Sequence, residues 1–297
     1  MNFDFDMNLY KVFYDVAKYG NFSKAAEFTY TTQSAISKSI KKLEEEMGVE
    51  LFYRMNNGVT LTQKGRELLY FVEKAYGNLL TAERALKETE NLEKGKLSIG
   101  IPSYIASFFF FDKIIDFHKK YPNIEITLMS GSTRQLLELL DKQSIDLIID
   151  TAPIRTSNSD LDIVKLSTVT YSFVCLSEDK DLYKNIKSIK DLEDYPLVLP
   201  VEGTSNRKAL NELFIKNNVN NKKVINIHTS EVIINAINNK LGIGYLISDL
   251  VKDNDKYSFI DIKEDLPSTD IDLVFNKKFL TTAPLKFISD YINKDIL

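Results

Sequence analysis

The chain has 297 residues, 44% of them hydrophobic, with a formal net charge of −4, two histidines and a single cysteine. That length and apolar share provide for two or three domains with sizeable cores and exclude wholesale disorder. A globally acidic chain does not advertise nucleic-acid binding, so such a role has to rest on local charge; Cys175 alone forms no disulfide framework and suits a reducing compartment.

The opening "MNFDFDMNLYKVF" has no basic segment followed by an apolar stretch, and no apolar run reaches membrane-spanning length. Neither a signal peptide nor a membrane span is expected, and the default address is the cytoplasm. Leu9, Val12, Phe13, Val16 and Ala17 then follow helical spacing, and "YGN" at 19–21 breaks that helix. Ser23 is placed to cap a second short helix running to about Tyr30, with Ala25 and Ala26 as a close crossing surface. Thr31 and Thr32 interrupt, and Thr32 caps a third helix, "QSAISKSIKKLEEEM", that ends at Gly48. In this helix Ile36, Ile40, Leu43 and Met47 fall on one narrow face, whereas Ser34, Lys38 and Lys41 lie opposite with Ser37 beside them.

Residues 49–65, "VELFYRMNNGVTLTQKG", read as a small hairpin with Asn-Gly at its tip, offering Phe52, Val59 and Leu61 to the helices. From Lys64 to about Leu92 helical character resumes, and Leu68, Val72, Ala75, Leu79, Ala82 and Leu86 alternate steps of four and three, the seam of a coiled coil. At ~1.5 Å per residue this helix would be on the order of 40 Å long, awkward inside a compact domain and natural as a dimer spacer. "ENLEKGK" at 90–96 is a polar break. Beyond it the apolar runs "LSIGI", "IEITLM", "IDLIID", "FVCL", "LVLP" and "VINI" alternate with helical stretches, which indicates buried parallel strands in α/β units.

Two helices, a short turn and a third helix with one polar face make a helix-turn-helix, whose last helix enters the major groove. The local charge fits. Thr31–Lys42 carries three lysines and no acid, and Leu51–Arg66 carries Arg54, Lys64 and Arg66, again without an acid. Glu44, Glu45 and Glu46 would repel phosphate at the far end of the third helix and so put its first half in the groove. Gln33 has the geometry to read adenine, Ser34 and Ser37 to contact base edges or phosphates, and Lys38 or Lys41 to reach guanine or phosphate. A polar helix face is more often simply solvated. Here turn, segregated charge, hairpin and dimerising helix coincide, and together they outweigh that reading.

The stretch "LYKVFYDVAKYGNFSKAAEFTYTTQSAISKSIKKLEEEMGVELFYRMNNGVTLTQKGRELL" closely resembles the amino-terminal domain of LysR-type transcriptional regulators, through "NFSKAA", "TQSAIS", "KKLEEEMGVELFYR" and "GVTLTQKG" at matching spacing. The resemblance implies that Thr32, Gln33, Ser34, Ser37 and Lys38 face DNA, with Ser23 and Lys41 close by. It also implies that Arg54 enters or flanks the minor groove from the wing, and that Thr62 holds a phosphate. Ser34 departs from the proline common in the family; either residue suits a first helical turn.

"KLSIGIPSY", "FHKKYPNIEITLMSGSTRQLLELLDKQSIDLIIDTAP", "LVLPVEGTSNRKAL" and "TSEVIINAINNKLGIGYLISDLV" are similar to the same family's effector-binding domain. The implied organisation is α/β overall: a winged helix-turn-helix at 5–63, a dimerising linker helix at 64–92, and a two-lobed domain like a periplasmic binding protein at 96–297. Lobe one is expected at 96–162 plus 268–297 and lobe two at 163–267, with crossovers near "DLDIV" and "DLPST". Small hydroxyl residues stand where helices begin after strands: Ser103 with Tyr104, Ser130, Ser132 and Thr133, Thr204 and Ser205, and Ser230. Singly each reads as a helix cap; as a set they favour a cleft for a small carboxylate or oxyanion, because helix N-termini attract anions and ligands lie beyond strand ends. Arg207 either clamps a carboxylate or sits exposed on its helix.

His118 and His228 are far apart without a second metal ligand, and no P-loop or Rossmann glycine pattern occurs. No catalytic constellation, metal or cofactor is expected. Cys175 reads as a buried inert thiol, and "FFFF" at 108–111 as a helix packed on both sides. The expected protein is a regulator that binds double-stranded promoter DNA under control of a small, anionic effector. The resemblance adds a homotetramer, a dimer of dimers, on an interrupted palindrome with T and A at its ends. A solute-binding protein of transport would need a secretion signal and no DNA-binding head; an enzyme would need a reactive constellation that is absent from the sequence.

Overall fold

The computed structural model describes residues 6–55, 58–87 and 94–292. The hairpin tip at Asn56 and Asn57, most of the polar break and the last five residues lie outside the described residues. The chain forms two compact units, one holding the residues through Leu86 with Asp141–Ser144, the other holding the rest.

In the first unit α1 (Met7–Tyr19), α2 (Phe22–Phe28) and α3 (Gln33–Met47) enclose a core of Phe13, Val16, Ala25, Ala26, Ile36, Ile40 and Leu43. Thr32 caps α3 by accepting from the Ala35 N–H at 3.2 Å, and Gly48 closes it in the left-handed region at φ 68°. Met47, expected in the buried stripe, is 37% exposed because the helix ends before its side chain reaches the core. Asn21, not Ser23, caps α2: its Oδ1 accepts from the Ser23 and Lys24 amides at 2.8 and 3.2 Å, which leaves Ser23 inside the first turn. The tight turn before α3 is made by Tyr30 at φ 54°, with its N–H bonded to the Glu27 carbonyl and the Thr31 N–H to the Ala26 carbonyl. That bond pair is the Schellman closure, with tyrosine in the place usually held by glycine.

Strands β1 (Phe52–Met55) and β2 (Gly58–Leu61) pair antiparallel as the wing, and Phe52 packs on Phe13 at 5.4 Å between ring centroids. Helix α4 (Gln63–Lys87) follows at once. Gly65 lets its first turn press on the wing's root, since a Cβ there would lie 2.2 Å from the Leu51 carbonyl oxygen. Val72 faces inward, whereas Leu79 and Leu86 of the expected seam are 51% and 88% exposed, leaving an apolar stripe on the outside of the helix.

The second unit is built on one nine-stranded sheet. After β3 (Gly95–Gly100), a helix opens as α5 (Ser103–Ile105), widens into a π-turn over Ala106–Phe110 and continues as α6 (Phe111–Lys120). Phe108 and Phe111 are exposed there, so the phenylalanine run packs on one side only. Then come β4 (Ile124–Met129), α7 (Thr133–Asp141), β5 (Leu147–Thr151) and β6 (Asp162–Leu176). These are followed by β7 (Leu197–Pro200), α8 (Ser205–Lys216), β8 (Val224–Ile227), α9 (Ser230–Asn238), β9 (Ile243–Ile247), β10 (Tyr257–Phe259), β11 (Ser268–Phe275) and α10 (Thr282–Phe287). The strand order is β4-β3-β5-β11-β6-β9-β7-β8, with β10 on β6. As the apolar runs imply, β3, β4 and β5 are parallel in one lobe and β7 and β8 in the other, where β9 joins them; "FVCL", expected as a parallel strand, instead ends β6, which is antiparallel to β9.

The antiparallel strands were not anticipated. β6 pairs with β11 along Asp162–Thr170 and with β9 along Tyr171–Val174, so a single 15-residue strand serves both lobes. The first crossover therefore lies at Thr170–Tyr171, later than the expected "DLDIV"; the return lies at Pro267–Ser268, within the expected "DLPST". The two crossings run side by side, the Tyr171 N–H donating to the Pro267 carbonyl at 3.0 Å. Among the described residues no helix is long and apolar enough to cross a membrane.

Candidate functional site: a helix face and a two-lobed cleft

On α3 the buried side is Ile36, Ile40 and Leu43, which turns Gln33, Ser34, Lys38 and Lys41 outward and leaves Ser37 half-buried between the faces. Gln33 is the first helical residue, directly after the Thr32 cap. Lys38 has no acidic partner among the described residues, while Lys41 and Lys42 pair loosely with Glu45 and Glu46 at 3.5 and 3.7 Å. Glu44 does not repel phosphate in the expected manner: its Oε1 accepts from the Leu51 N–H at 2.7 Å and the Phe52 N–H at 3.3 Å, tying the helix to the wing. On the wing, the exposed Arg54 guanidinium lies 5.7 Å from the Phe22 ring centroid.

Thr62 requires correction. It is buried; its hydroxyl donates to the Glu50 carbonyl at 2.8 Å and accepts from the Gly65 N–H at 2.9 Å. It caps the start of α4 and has no free face for a phosphate.

In the second unit a cleft of about 870 Å³ opens at the carboxyl ends of the parallel strands. Ser103, Tyr104, Ser130, Ser132, Thr133, Thr204, Ser205 and Ser230 all line it, so the hydroxyl-bearing helix starts converge on one space. Arg207 does not reach it. Its buried guanidinium bonds the Pro200 carbonyl (2.8 Å), Asn226 (2.7 Å), Asn211 (2.8 Å) and Glu202 (2.6 Å), and so braces α8 against β7 and β8. Both sequence readings of Arg207, clamp and exposed side chain, give way to that brace.

The cleft also holds Asp150, Tyr171, Asn206 and Glu231, none of them expected there from the sequence, and His228, which the sequence marks only as a histidine without a metal partner. Asp150, at the end of β5, is 4% exposed and accepts from the Thr133 hydroxyl at 2.6 Å and the Thr151 N–H at 2.7 Å. Burial pushes its pKa up, against the lowering effect of those bonds. Burial likewise pushes the Tyr104 hydroxyl up, and the negative charges of Asp150 and Glu231 add to the shift. Tyr171 is raised by burial first and by its neighbour Tyr104 next, and is hydrogen-bonded with the Asn206 side chain. At the mouth, the Ser103 hydroxyl donates to Glu231 Oε1 at 2.9 Å, one lobe to the other.

Both regions match family models. Residues 7–66 match the bacterial regulatory helix-turn-helix protein, lysR family, and residues 90–294 match the LysR substrate binding domain. The chain belongs to the LysR family. It is a DNA-binding transcriptional regulator with an amino-terminal helix-turn-helix and an effector-binding domain.

LysR relatives along most of the chain include the HTH-type transcriptional regulator CfxR of Cupriavidus necator, 28% identical over 80% of this chain and 74% of that one. YofA of Bacillus velezensis is 26% identical over 92% and 93%. Among solved structures, a full-length OxyR variant from Pseudomonas aeruginosa superposes with a TM-score of 0.70 at 20% identity, covering 97% of both chains. CbnR, a LysR family regulator solved in complex with its target DNA, superposes with 0.68 at 16% identity over 96% of this chain and 98% of that one. At such identities the structural likeness shows the LysR fold alone. The relatives are transcriptional regulators rather than enzymes. Among the described residues no group of His, Cys, Asp and Glu is arranged to hold a metal. Cys175 is buried and its thiol is pushed up to about 11 by burial, the chemistry of an inert side chain.

Proposed function

We propose that the outer face of α3 reads the major groove of promoter DNA through Gln33, Ser34, Ser37 and Lys38, with Thr32 at the helix entry. Arg54 reaches the adjacent minor groove from the wing, and Ser23 and Lys41 flank the phosphates. The observation that carries this reading is that a helix with a fully buried inner stripe presents, on its other side, an exposed amide, two small hydroxyl residues and a lysine without an acidic partner. The apolar stripe on α4 supports a homodimer through Leu79 and Leu86, and the family supports assembly of two dimers on a palindromic site in the cytoplasm. The cleft takes a small effector with an anionic group, drawn by free N–H groups at the helix starts. Its binding shifts the populations of the lobes' arrangements and so the DNA-bound form.

Salt-dependent binding to a duplex from the chain's own promoter tests the helix face. Affinity should fall linearly with salt on logarithmic axes, and Lys38→Ala should flatten the slope by about 0.9 if Lys38 holds one phosphate. An unchanged slope in that variant removes Lys38 from the interface.

A further inference from the structure

Among the described residues Asp150 has no ionic partner. It is a 4% exposed carboxylate whose hydrogen bonds, from the Thr133 hydroxyl and from the N–H and side chain of Thr151, all come from neutral groups. No lysine or arginine pairs with it among the described residues. Buried carboxylates are ordinarily paired with a cation or a metal, and three hydrogen bonds do not use up the roughly four lone-pair sites of a carboxylate. Asp150 nevertheless lines the cleft.

The rest of the cavity carries the same sign. Glu231 lines it, its carboxylate accepting from the Ser103 hydroxyl, and the charges of both acids act on the Tyr104 hydroxyl. The lining side chains that could carry positive charge are Arg134, paired with Glu138 at 3.2 Å on a largely exposed side chain, and the exposed His228. Behind Tyr171, the ring of Tyr245 stacks at 5.3 Å on the same face of the sheet, and its fully buried hydroxyl has no hydrogen-bond partner. A ligand that is only an anion would be held by helix starts on one side and repelled by two carboxylates on the other.

The helix starts are not equivalent. The α9 start has Glu231 in its first turn, and at α7 the Ser132 N–H is already taken by Gln135 Oε1 at 2.9 Å while Thr133 is bonded to Asp150. The α8 start, at Thr204–Asn206, has its Arg207 N–H taken by Asn206 Oδ1 at 2.9 Å, but no acid in its first turn, and belongs to a helix of 12 residues braced from beneath by Arg207. The cavity therefore joins one helix start without an acid, at α8, to a wall that carries Asp150 and Glu231 around Tyr104, with Tyr171 bridging from Tyr104 to the Asn206 side chain.

We propose that the effector is a zwitterion of the α-amino acid type, its carboxylate on the α8 start and its ammonium on Asp150 beside Tyr104 and Glu231. This rests on the cleft being the effector site. Asp150 then supplies a charge-assisted hydrogen bond that a deaminated analogue cannot form.

The test uses the full chain and thermal-shift titration with the twenty L-α-amino acids, each paired with the acid that lacks only its amino group. At least one amino acid should raise the melting temperature in a saturable way, while its deaminated partner binds on the order of 10- to 100-fold more weakly. Asp150→Asn should lose that preference while its ligand-free melting temperature at pH 7 stays at or above the parent's. A deaminated acid binding as tightly as its amino acid overturns the zwitterion and leaves the cleft reading standing. An amino-acid shift unaltered both in Asp150→Asn and in Thr204→Trp, which obstructs the α8 side of the cleft, overturns both. No shift from any amino acid overturns the proposal as well.

Discussion

The proposed DNA-reading face and the proposed effector cleft are built in opposite ways. The first is carried by a single helix: Gln33, Ser34, Ser37 and Lys38 lie within six residues, and one buried stripe suffices to aim them. The second is gathered from helix starts and strand ends more than a hundred residues apart, as the bond from Ser103 to Glu231 illustrates. A local site inherits its geometry from helical periodicity, whereas a distributed site exists only once the sheet has formed. The first should therefore tolerate change in the second unit better than the cleft does.

The largest expected effect comes from removing the support of the local site. Leu43 is fully buried, and Leu43→Ala should lower the stability of the amino-terminal unit by ~3–5 kcal/mol. Denaturant melts should show loss of DNA binding while ligand-induced stabilisation of the second unit persists; loss of both together would merge the two regions into one. Next, Leu79→Glu places a charge in the exposed stripe of α4 without touching the core of the protomer. It should convert dimers to monomers by light scattering, and a mutant still dimeric would remove the stripe from the interface.

Gln33→Ala should reduce discrimination between specific and random duplexes by ~1–3 kcal/mol with the fold intact; equal losses on both duplexes would make Gln33 a backbone contact. The smallest effect concerns Asp150. Burial raises its folded pKa above the unfolded value, so between the two values the folded chain keeps a proton that the unfolded chain has released. Stability then falls as pH rises through that window. Ligand-free Asp150→Asn should escape the fall and be at least as stable as the parent at pH 7, with the difference vanishing below the unfolded pKa. A variant less stable at pH 7 than at acid pH relative to the parent would contradict this sign.

The amino-terminal unit was legible because its signals are contiguous: cap, stripe, glycine stop and hairpin follow one another. What escaped there were side chains whose partners lie outside the pattern. Thr62 looks like a surface hydroxyl in sequence, and only the close approach of Leu51 and Gly65 shows it turned inward. Ser23 and Asn21 compete for the same cap, and the residue two positions earlier wins because its side chain reaches two amides. Tyr30 gave no warning of a left-handed turn, since glycine and asparagine are the usual markers.

In the second unit the parallel strands are visible as apolar runs, but of β6 only the end, "FVCL", is visible, and it reads as a parallel strand whereas β6 runs antiparallel to β9 and β11. Its first half, "DIVKLSTVT", alternates only from Val164 to Ser167 and is interrupted by the apolar pair Ile163 and Val164 and the polar pair Ser167 and Thr168, so it carries no clean period-two signature, and its pairing with β11 likewise contains a register shift. Tyr171 was hidden for the same reason. Asp150 could have been found: it closes the run "IDLIID" at the carboxyl end of a parallel strand, where ligands bind in open α/β sheets. Arg207 shows the reverse error, a cation beside a predicted site that the fold uses to hold its own backbone.

The side-by-side crossings at Tyr171 and Pro267 have a mechanical corollary. Two strands tied at one level would act as a torsion pivot, about which the lobes would swing rather than slide. Tyr171 is at once part of that pivot and part of the wall a guest molecule touches. An occupant leaning on its ring thus loads the axle directly, and a slight rocking there grows with radius into a larger sweep at the rims of the sheet.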